Sequence, residues 1–599
     1  MYDFGDIVCT VITAGAAPTK DHAVGSAAPP NPPPGPKARR WRWLGAVLWH
    51  EWTLVVLGSL ALAVVMTWPT LRHPTRTIPS DTGDPTMQAW QLAWSGHALR
   101  TEPLSLWQAN AFHPEPNSFA FTDTLLGYAP AGLIGTGPVA ALVRYNIVFV
   151  LVCALAFVGA YALVRQLGAG RLGATVAGAA FAYAPWRLAQ AGHLQVLSTG
   201  GIALALAMLA RGHGWSLRHG YRPERARPGW TVGGWCVAAW QLSLGFGIGV
   251  PFGYALALAF VVAAVGWLWR RPPLPRRLVL ADGVGLAVLL AVGAFMARPY
   301  LEVADQFPYV RRSWENLQWA SPPLRGFFTS PGTSIVWGDL HAGARAALGH
   351  RGEVSLLPGF TLYGLAALGL VLSIWTLRQR LLLAAGVVAS IVLGMGTQGP
   401  AGGHLTYGLL YALPGFDGIR TPGRLVVWTT LLLAVLAAGA VTALARRAAT
   451  RARPVGLTLA LLPLLVVAEG LNTMPHPDMQ APPPALATAP APMLVLPSGA
   501  TIDGIPMLWA TDRFPAMVNG AAAFTPQRQA AVRDAASHFP DTDSVALLRA
   551  TGVRSVVVVR TAVKGTPYEA TLQGRTDGLP VRRVDTPEAV VYLLDPIER

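Results

Sequence analysis

The stretch "IPSDTGDPTMQAW", Ile78 to Trp90, places two aspartates, Asp81 and Asp84, three residues apart in a chain that is only 13% charged. Asp84 precedes Pro85, and Met87, Trp90 and Trp94 follow at spacings of three and four, so an amphipathic helix is expected to open here with proline in its first turn. Two uses of the Asp84 carboxylate are compatible with that geometry. It can be the N-cap of a helix lying flat on a membrane surface. It can also face a cavity among membrane spans and take a proton from an acceptor hydroxyl.

Arginine supplies the complementary chemistry. "YAPWRLAQAGHLQ" puts Arg187 and His193 on a short connection, and "GFDGIRTPGR" puts Arg420 and Arg424 at the mouth of an apolar run that begins near residue 425. Guanidinium groups bind phosphate in a bidentate manner; the same residues could instead meet lipid headgroups or cap span ends. The run "EVADQFPYVRRSWENLQWASPP" adds Glu302, Arg311, Arg312, Trp314 and Glu315, a mixture of charge and aromatic faces that could hold a sugar or form a solvated loop. Glu353 is a further acidic candidate, just before the apolar run at 357.

The elements that must position these residues are apolar. Of the 599 residues 52% are hydrophobic, too many for an ordinary soluble chain. About eleven runs could cross a hydrocarbon layer of ~30 Å: 53–71, 145–164, 172–186, 194–211, 230–247, 251–269, 278–297, 357–376, 381–396, 425–445 and 454–470. The run 125–143 is apolar but broken by Gly and Pro, and reads as a re-entrant or membrane-surface element. Arginine clusters such as "RRPPLPRR", "LRQR" and "RRAATRAR" lie between alternate runs, which places them inside and the N-terminus with them. The long loops 72–144, 298–356 and 397–424 then face outward, and every carboxylate cluster of interest falls on that face.

Residues 1–50, with "AAPPNPPPGPKARRWRW", read as a disordered cytoplasmic arm. The membrane module is expected over 51–470, a Pro/Ala linker over 471–490, and a small α/β domain outside the membrane over 491–599. In that last part "MLVLP", "RSVVVVR" and "AVVYLLD" read as buried strands, and "PQRQAAVRDAASHF" and "DTDSVALLRATGV" as helices. The fold class is thus a polytopic α-helical membrane protein with an extracytoplasmic α/β domain, seated in the plasma (inner) membrane among membrane lipids.

A first span, a long outer loop with an acidic residue at the head of a helix, many further spans and an outer C-terminal domain resemble the GT-C superfamily of membrane glycosyltransferases. More narrowly, the chain is similar to a bacterial branch related to polyprenyl-phosphate-sugar-dependent mannosyl- and aminoarabinosyl-transferases. The resemblance spans roughly 53–470 and rests locally on "SDTGDPTMQAW", "APWRLAQAGHLQ" and "GFDGIRTPGR". It implies a sugar moved from a polyprenyl-phosphate donor to a cell-envelope glycan, lipid or protein acceptor, with inversion at the anomeric carbon. It also implies that the first-loop acid is the general base, mapping onto Asp84 with Asp81 second. Asp84-Pro85 stands where many relatives have Asp-Glu, and no Trp-Trp-Asp motif occurs, which argues against oligosaccharide transfer to asparagine. Such chemistry needs a base, an oily slot for the donor, and positive charge for the departing phosphate; Arg187, His193, Arg420, Arg424, Arg311, Arg312 and Glu353 are the candidates for donor and phosphate contacts. No cofactor is implied, and a divalent metal is left open.

Other classes fit less well. The net charge of +16 is gathered in short clusters between apolar runs, a topology signal and not a nucleic-acid footprint. The three lysines, Lys20, Lys37 and Lys564, are not followed by Ser or Thr, so a phosphate-binding P-loop is absent. Cys153 and Cys236 fall inside apolar runs and suggest no disulfide framework. A transporter or flippase would place ionisable groups near mid-bilayer, whereas Asp282 and Glu469 lie near span ends. A non-catalytic envelope membrane protein is the remaining reading.

Overall fold

The structure, a computed structural model, describes residues 50–449 and 458–596. The arm predicted over 1–50 lies outside the described residues except for His50, as does the end of the basic connection 446–453. The chain divides into two units at Leu62. The described part of the first is the start of an apolar helix, α1 (Glu51–Met66). All that follows belongs to the second unit, residues 63–599.

After α1 come α2 (Asp84–Thr101), α3 (Gly137–Leu167), α4 (Arg171–Tyr183), α5 (Gly200–Gly212), α6 (Pro228–Leu242), α7 (Phe246–Arg270) and α8 (Arg276–Gln306). These are followed by α9 (Phe360–Val371), α10 (Leu377–Gly394), α11 (Val426–Ala449) and α12 (Leu462–Glu469). A helix overlaps each predicted span within the described residues, but among those residues six stretches are long and apolar enough to cross a membrane by themselves: Gly137–Leu167, Leu194–Gly212, Phe246–Arg270, Arg276–Gln306, Leu377–Gly394 and Pro422–Ala449. With 13 and 15 residues, α4 and α6 rise only about 20–23 Å at 1.5 Å per residue. The spans differ in surroundings. The windows of Gly137–Leu167 and Pro422–Ala449 are 72% and 83% buried, whereas that of Leu377–Gly394 is 11% buried, so the first two make the centre of the bundle and the last presents apolar side chains outward.

The run 125–143, expected as a re-entrant or membrane-surface element, is divided between two helices. Its second half is already the start of α3, and its first half holds a short helix, Ala129–Gly132, packed on α2. That packing is close: a Cβ on Gly96 would lie 2.0 Å from the carbonyl carbon of Gly132, so the two backbones touch only because neither residue has a side chain.

The apolar faces of α2 are turned to protein and not to lipid. Most of it is buried, because it carries two apolar faces. Met87, Trp90 and Trp94 pack with Phe119, Phe121, Met493, Val495, Met507 and Val557, a core shared with the C-terminal strands. Ala89, Leu92 and Ala93 pack on Tyr145, Val148 and Phe149 of α3. The helix is therefore sandwiched between bundle and C-terminal sheet, and its indole N–H groups are satisfied by Asn110 Oδ1 (3.0 Å) and the Leu106 carbonyl (2.8 Å).

The C-terminal part holds a four-stranded sheet of β1 (Met493–Leu496), β2 (Ser555–Val559), β3 (Val581–Asp585) and β4 (Ala589–Leu594), in the order β1-β2-β4-β3. β1 and β2 are parallel, with Met493 opposite Ser555; β2/β4 and β4/β3 are antiparallel. Helices α13 (Gly504–Trp509), α14 (Gln527–Ala536) and α15 (Thr542–Ala550) complete it, and Gly552 beyond α15 has the left-handed φ of 82°. The strand "VRRVD" escaped the sequence reading because it is a polar sheet edge, with only Val581 buried.

Candidate functional site

The turn before α2 is built by Asp81, not Asp84. Asp81 accepts the N–H of Gly83 at 2.8 Å and the Ser80 hydroxyl at 2.9 Å, an Asx-type turn. Gly83 is the N-cap and Asp84 the first residue of the helix, with no capping hydrogen bond from its side chain. The capping role thus does not consume the Asp84 carboxylate. It points to the connection between α4 and α5, where His193 Nε2 lies 3.4 Å from Asp84 Oδ2.

His193 reaches a second carboxylate, Glu353 Oε1, at 4.0 Å. Glu353 in turn forms an ion pair with Arg424, Nη2 to Oε1 at 3.1 Å, with both side chains largely buried (6% and 12% exposed). Three segments far apart in sequence, 81–84, 190–193 and 351–354, thereby meet the turn that opens α11. Buried glutamines hold them in register. Gln88, one turn along α2 from Asp84, accepts the backbone N–H of Leu194 (3.1 Å) and the Tyr145 hydroxyl (3.2 Å) and donates to Gln195 Oε1 (2.8 Å). Gln190 donates to the Gly352 carbonyl (2.9 Å) while its oxygen faces His193 Nδ1 at 2.9 Å.

Electrostatics follow from this crowding. Loss of hydration raises the Asp84 pKa; the Asp81 charge adds to that, while His193, Arg420 and Arg424 oppose it. Burial and the Arg424 charge lower that of His193, against Glu353 and Asp84. Burial would raise Glu353, but Arg424 and His193 outweigh it and hold the carboxyl below its ordinary value.

A further carboxylate, Asp123, was not singled out by the sequence. It accepts the Phe246 N–H at 2.7 Å and so fixes the start of α7. Gly247 lies between it and the arginine: a Cβ there would stand 3.6 Å from Asp123 Oδ2 and 3.9 Å from Arg424 Nη1. Beside Arg424, a small cavity is lined by Ile248, Pro251, Tyr407, Phe416, Ile419 and Trp428, among other side chains. The Tyr407 hydroxyl and Arg424 Nε are buried there without a hydrogen-bond partner.

The remaining predicted residues are dispersed. Arg420 is exposed, stacks over Trp319 with its guanidinium carbon 5.9 Å from the ring centre, and adds its charge to the Asp84 field. Arg187 does not face the cluster: it is fully buried, and its donors are spent on Thr199 Oγ1 (2.7 Å) and the carbonyls of Leu197 (2.6 Å) and Ala182 (3.2 Å). Arg311 pairs with Asp305 (3.3 Å) and Asp417 (3.9 Å), and Arg312 donates to the Ala523 carbonyl (3.0 Å), so both tie loops together. Glu302 is held by Arg298 and Asn117, each at 2.9 Å. Asn519 is buried and bridges the backbone of Val495. Among the described residues, no three His, Cys, Asp or Glu side chains are grouped as metal ligands.

The sequence matches no family model and no curated protein. Solved structures do resemble the fold. Two single-particle structures of the arabinofuranosyltransferase AftD from Mycobacteria match at TM-scores of 0.50 and 0.52, each at 17% identity, over 94% and 93% of this chain. This chain spans 40% and 42% of theirs. ArnT from Cupriavidus metallidurans matches at a TM-score of 0.37 and 16% identity, over 93% of this chain and 98% of its own. The AftD likeness shows the fold: the chain shares the architecture of that membrane-helix-rich enzyme, and among the described residues six stretches are long and apolar enough to cross a membrane.

Proposed function

We propose that the protein is a membrane glycosyltransferase that moves one sugar from a polyprenyl-phosphate carrier to a cell-envelope acceptor at the outer face of the plasma membrane. The observation that carries this reading is the convergence of Asp84 with the buried Glu353–Arg424 pair, joined through His193. Asp84 is the one carboxylate of the group without a close arginine partner or a role in the local turn, which suits a base. Arg424 and Arg420 supply positive charge where the lipid phosphate would depart. An acceptor oxygen freed of its proton by Asp84 would attack the anomeric carbon opposite the phosphate, with inversion. Arg187 has no part in this scheme, since its three donor nitrogens are engaged inside the bundle, and Arg311 and Arg312 contact Asp305, Asp417 and the Ala523 carbonyl and not the cluster.

Mass spectrometry of envelope glycans from a deletion strain complemented with wild type or Asp84→Asn tests the proposal. Loss of one sugar that returns with wild type but not with the variant, at equal membrane content, is expected. Full restoration by Asp84→Asn rejects the assignment.

A further inference from the structure

We infer that His193 is the second station of the proton taken up by Asp84, a relay that rests on the transfer reading above. The geometry assigns the histidine's tautomer. Because Gln190 spends its N–H on the Gly352 carbonyl, its oxygen is the atom facing His193 Nδ1, and that nitrogen must carry hydrogen. Neutral His193 therefore turns a bare Nε2 lone pair toward Asp84 Oδ2, 3.4 Å away. Two acceptors face each other, a contact that becomes attractive only when a proton lies between them.

The step balances as follows. The acceptor O–H bond breaks and its proton goes to Asp84; the oxygen's electron pair forms the bond to the anomeric carbon; the bond from that carbon to the lipid phosphate breaks, its pair leaving on the phosphate oxygen. The proton then passes from Asp84 Oδ2 to His193 Nε2, giving an imidazolium that keeps its Nδ1–H on Gln190 and later gives the proton to water; both side chains reach solvent, Asp84 at 48% and His193 at 25% exposure, so the histidine's part is to hold the proton between the two acceptors while the phosphate departs. The groups facing His193 set its proton affinity from each side: Asp84 from α2, Glu353 from the 351–354 turn, and Arg424 and Arg420 from the turn before α11.

The test uses full-length protein with isotope-labelled histidine in detergent, the His193 signal among the 13 histidines being the one lost in His193→Gln. Nitrogen shifts are expected to show Nδ1–H in the neutral form, and Asp84→Asn to lower the His193 midpoint, since a carboxylate charge is removed. An Nε2–H tautomer, or a midpoint indifferent to Asp84→Asn, overturns the relay. In membranes holding endogenous donor lipid, His193→Gln is expected to slow transfer on the order of 10²-fold. Added imidazole should restore part of the rate, which a purely structural histidine would not allow. Absence of rescue in protein whose other histidine signals are unchanged overturns the relay as well. Retained transfer in Asp84→Asn would instead strike the functional reading itself, so the two failures are distinct.

Discussion

Gln88 and Leu194 are joined by a 3.1 Å hydrogen bond, side-chain oxygen to backbone N–H, which fastens the connection bearing His193 to the helix bearing Asp84. Both partners are buried. Gln88→Ala leaves that N–H without water or partner, a loss of about 1–3 kcal/mol. A lower Tm of the purified protein, with sugar transfer reduced more than the stability change accounts for, is the expected outcome.

Glu353 and Arg424 form the buried ion pair of the site. Removing the carboxylate strands a guanidinium in a nearly dry place, so Glu353→Ala should cost about 3–5 kcal/mol, readable by thermal denaturation in detergent. Glu353→Gln, which keeps an acceptor for Arg424, should cost less. The pairing also has a pH signature. The Glu353 pKa is depressed in the fold, so its contribution is present above the ordinary glutamate range and is lost as pH falls through the depressed value.

Asp81 acts on Asp84 through charge as well as through the turn. In the proposed mechanism Asp84 works deprotonated, so transfer should rise with pH through its pKa, which burial and then Asp81 push upward. Asp81→Asn keeps an oxygen for the Gly83 N–H but removes the charge. The acid limb of the transfer rate should move to lower pH, and a limb that stays in place would show that Asp84 does not control it.

Gly504, at the start of α13, sits against the turn that carries Asp84. A Cβ there would lie 2.3 Å from Thr86 Oγ1 and 3.1 Å from both Gly83 O and Met87 N. Gly504→Ala should destabilise by about 1–3 kcal/mol and displace Asp84. Adding Thr86→Ala removes the nearest colliding atom, so stability of the double variant should exceed the sum of the single effects, a coupling that unfolding curves of the set would measure.

Much of this fold was legible because membrane spans and buried strands announce themselves as apolar runs: "RSVVVVR" and "AVVYLLD" became the central strands β2 and β4. Span length was less legible, since α4, rich in Gly and Ala, is apolar throughout yet only 13 residues long. At the site, Asp84, His193, Glu353 and Arg424 could be picked out by type and placement near span ends. Arg187 has the same credentials, and only three-dimensional packing reveals that its donors are spent inside the bundle. Gln88, Gln190 and Asp123 were passed over because each works through partners far away in sequence, such as Leu194, Gly352 and Phe246. One signal was available for the first: a glutamine one turn after Asp84, on a helix otherwise apolar on two sides, needs buried partners.

The core that Met87, Trp90 and Trp94 share with Met493, Val495 and Val557 bears on biogenesis. A ribosome making this chain delivers those strands some four hundred residues after the tryptophans, so the segment holding Asp84 waits, half clothed, while every intervening helix is made. Catalytic competence would then arrive late in synthesis, and a nascent chain stalled before the sheet would carry an intact bundle with an unseated aspartate.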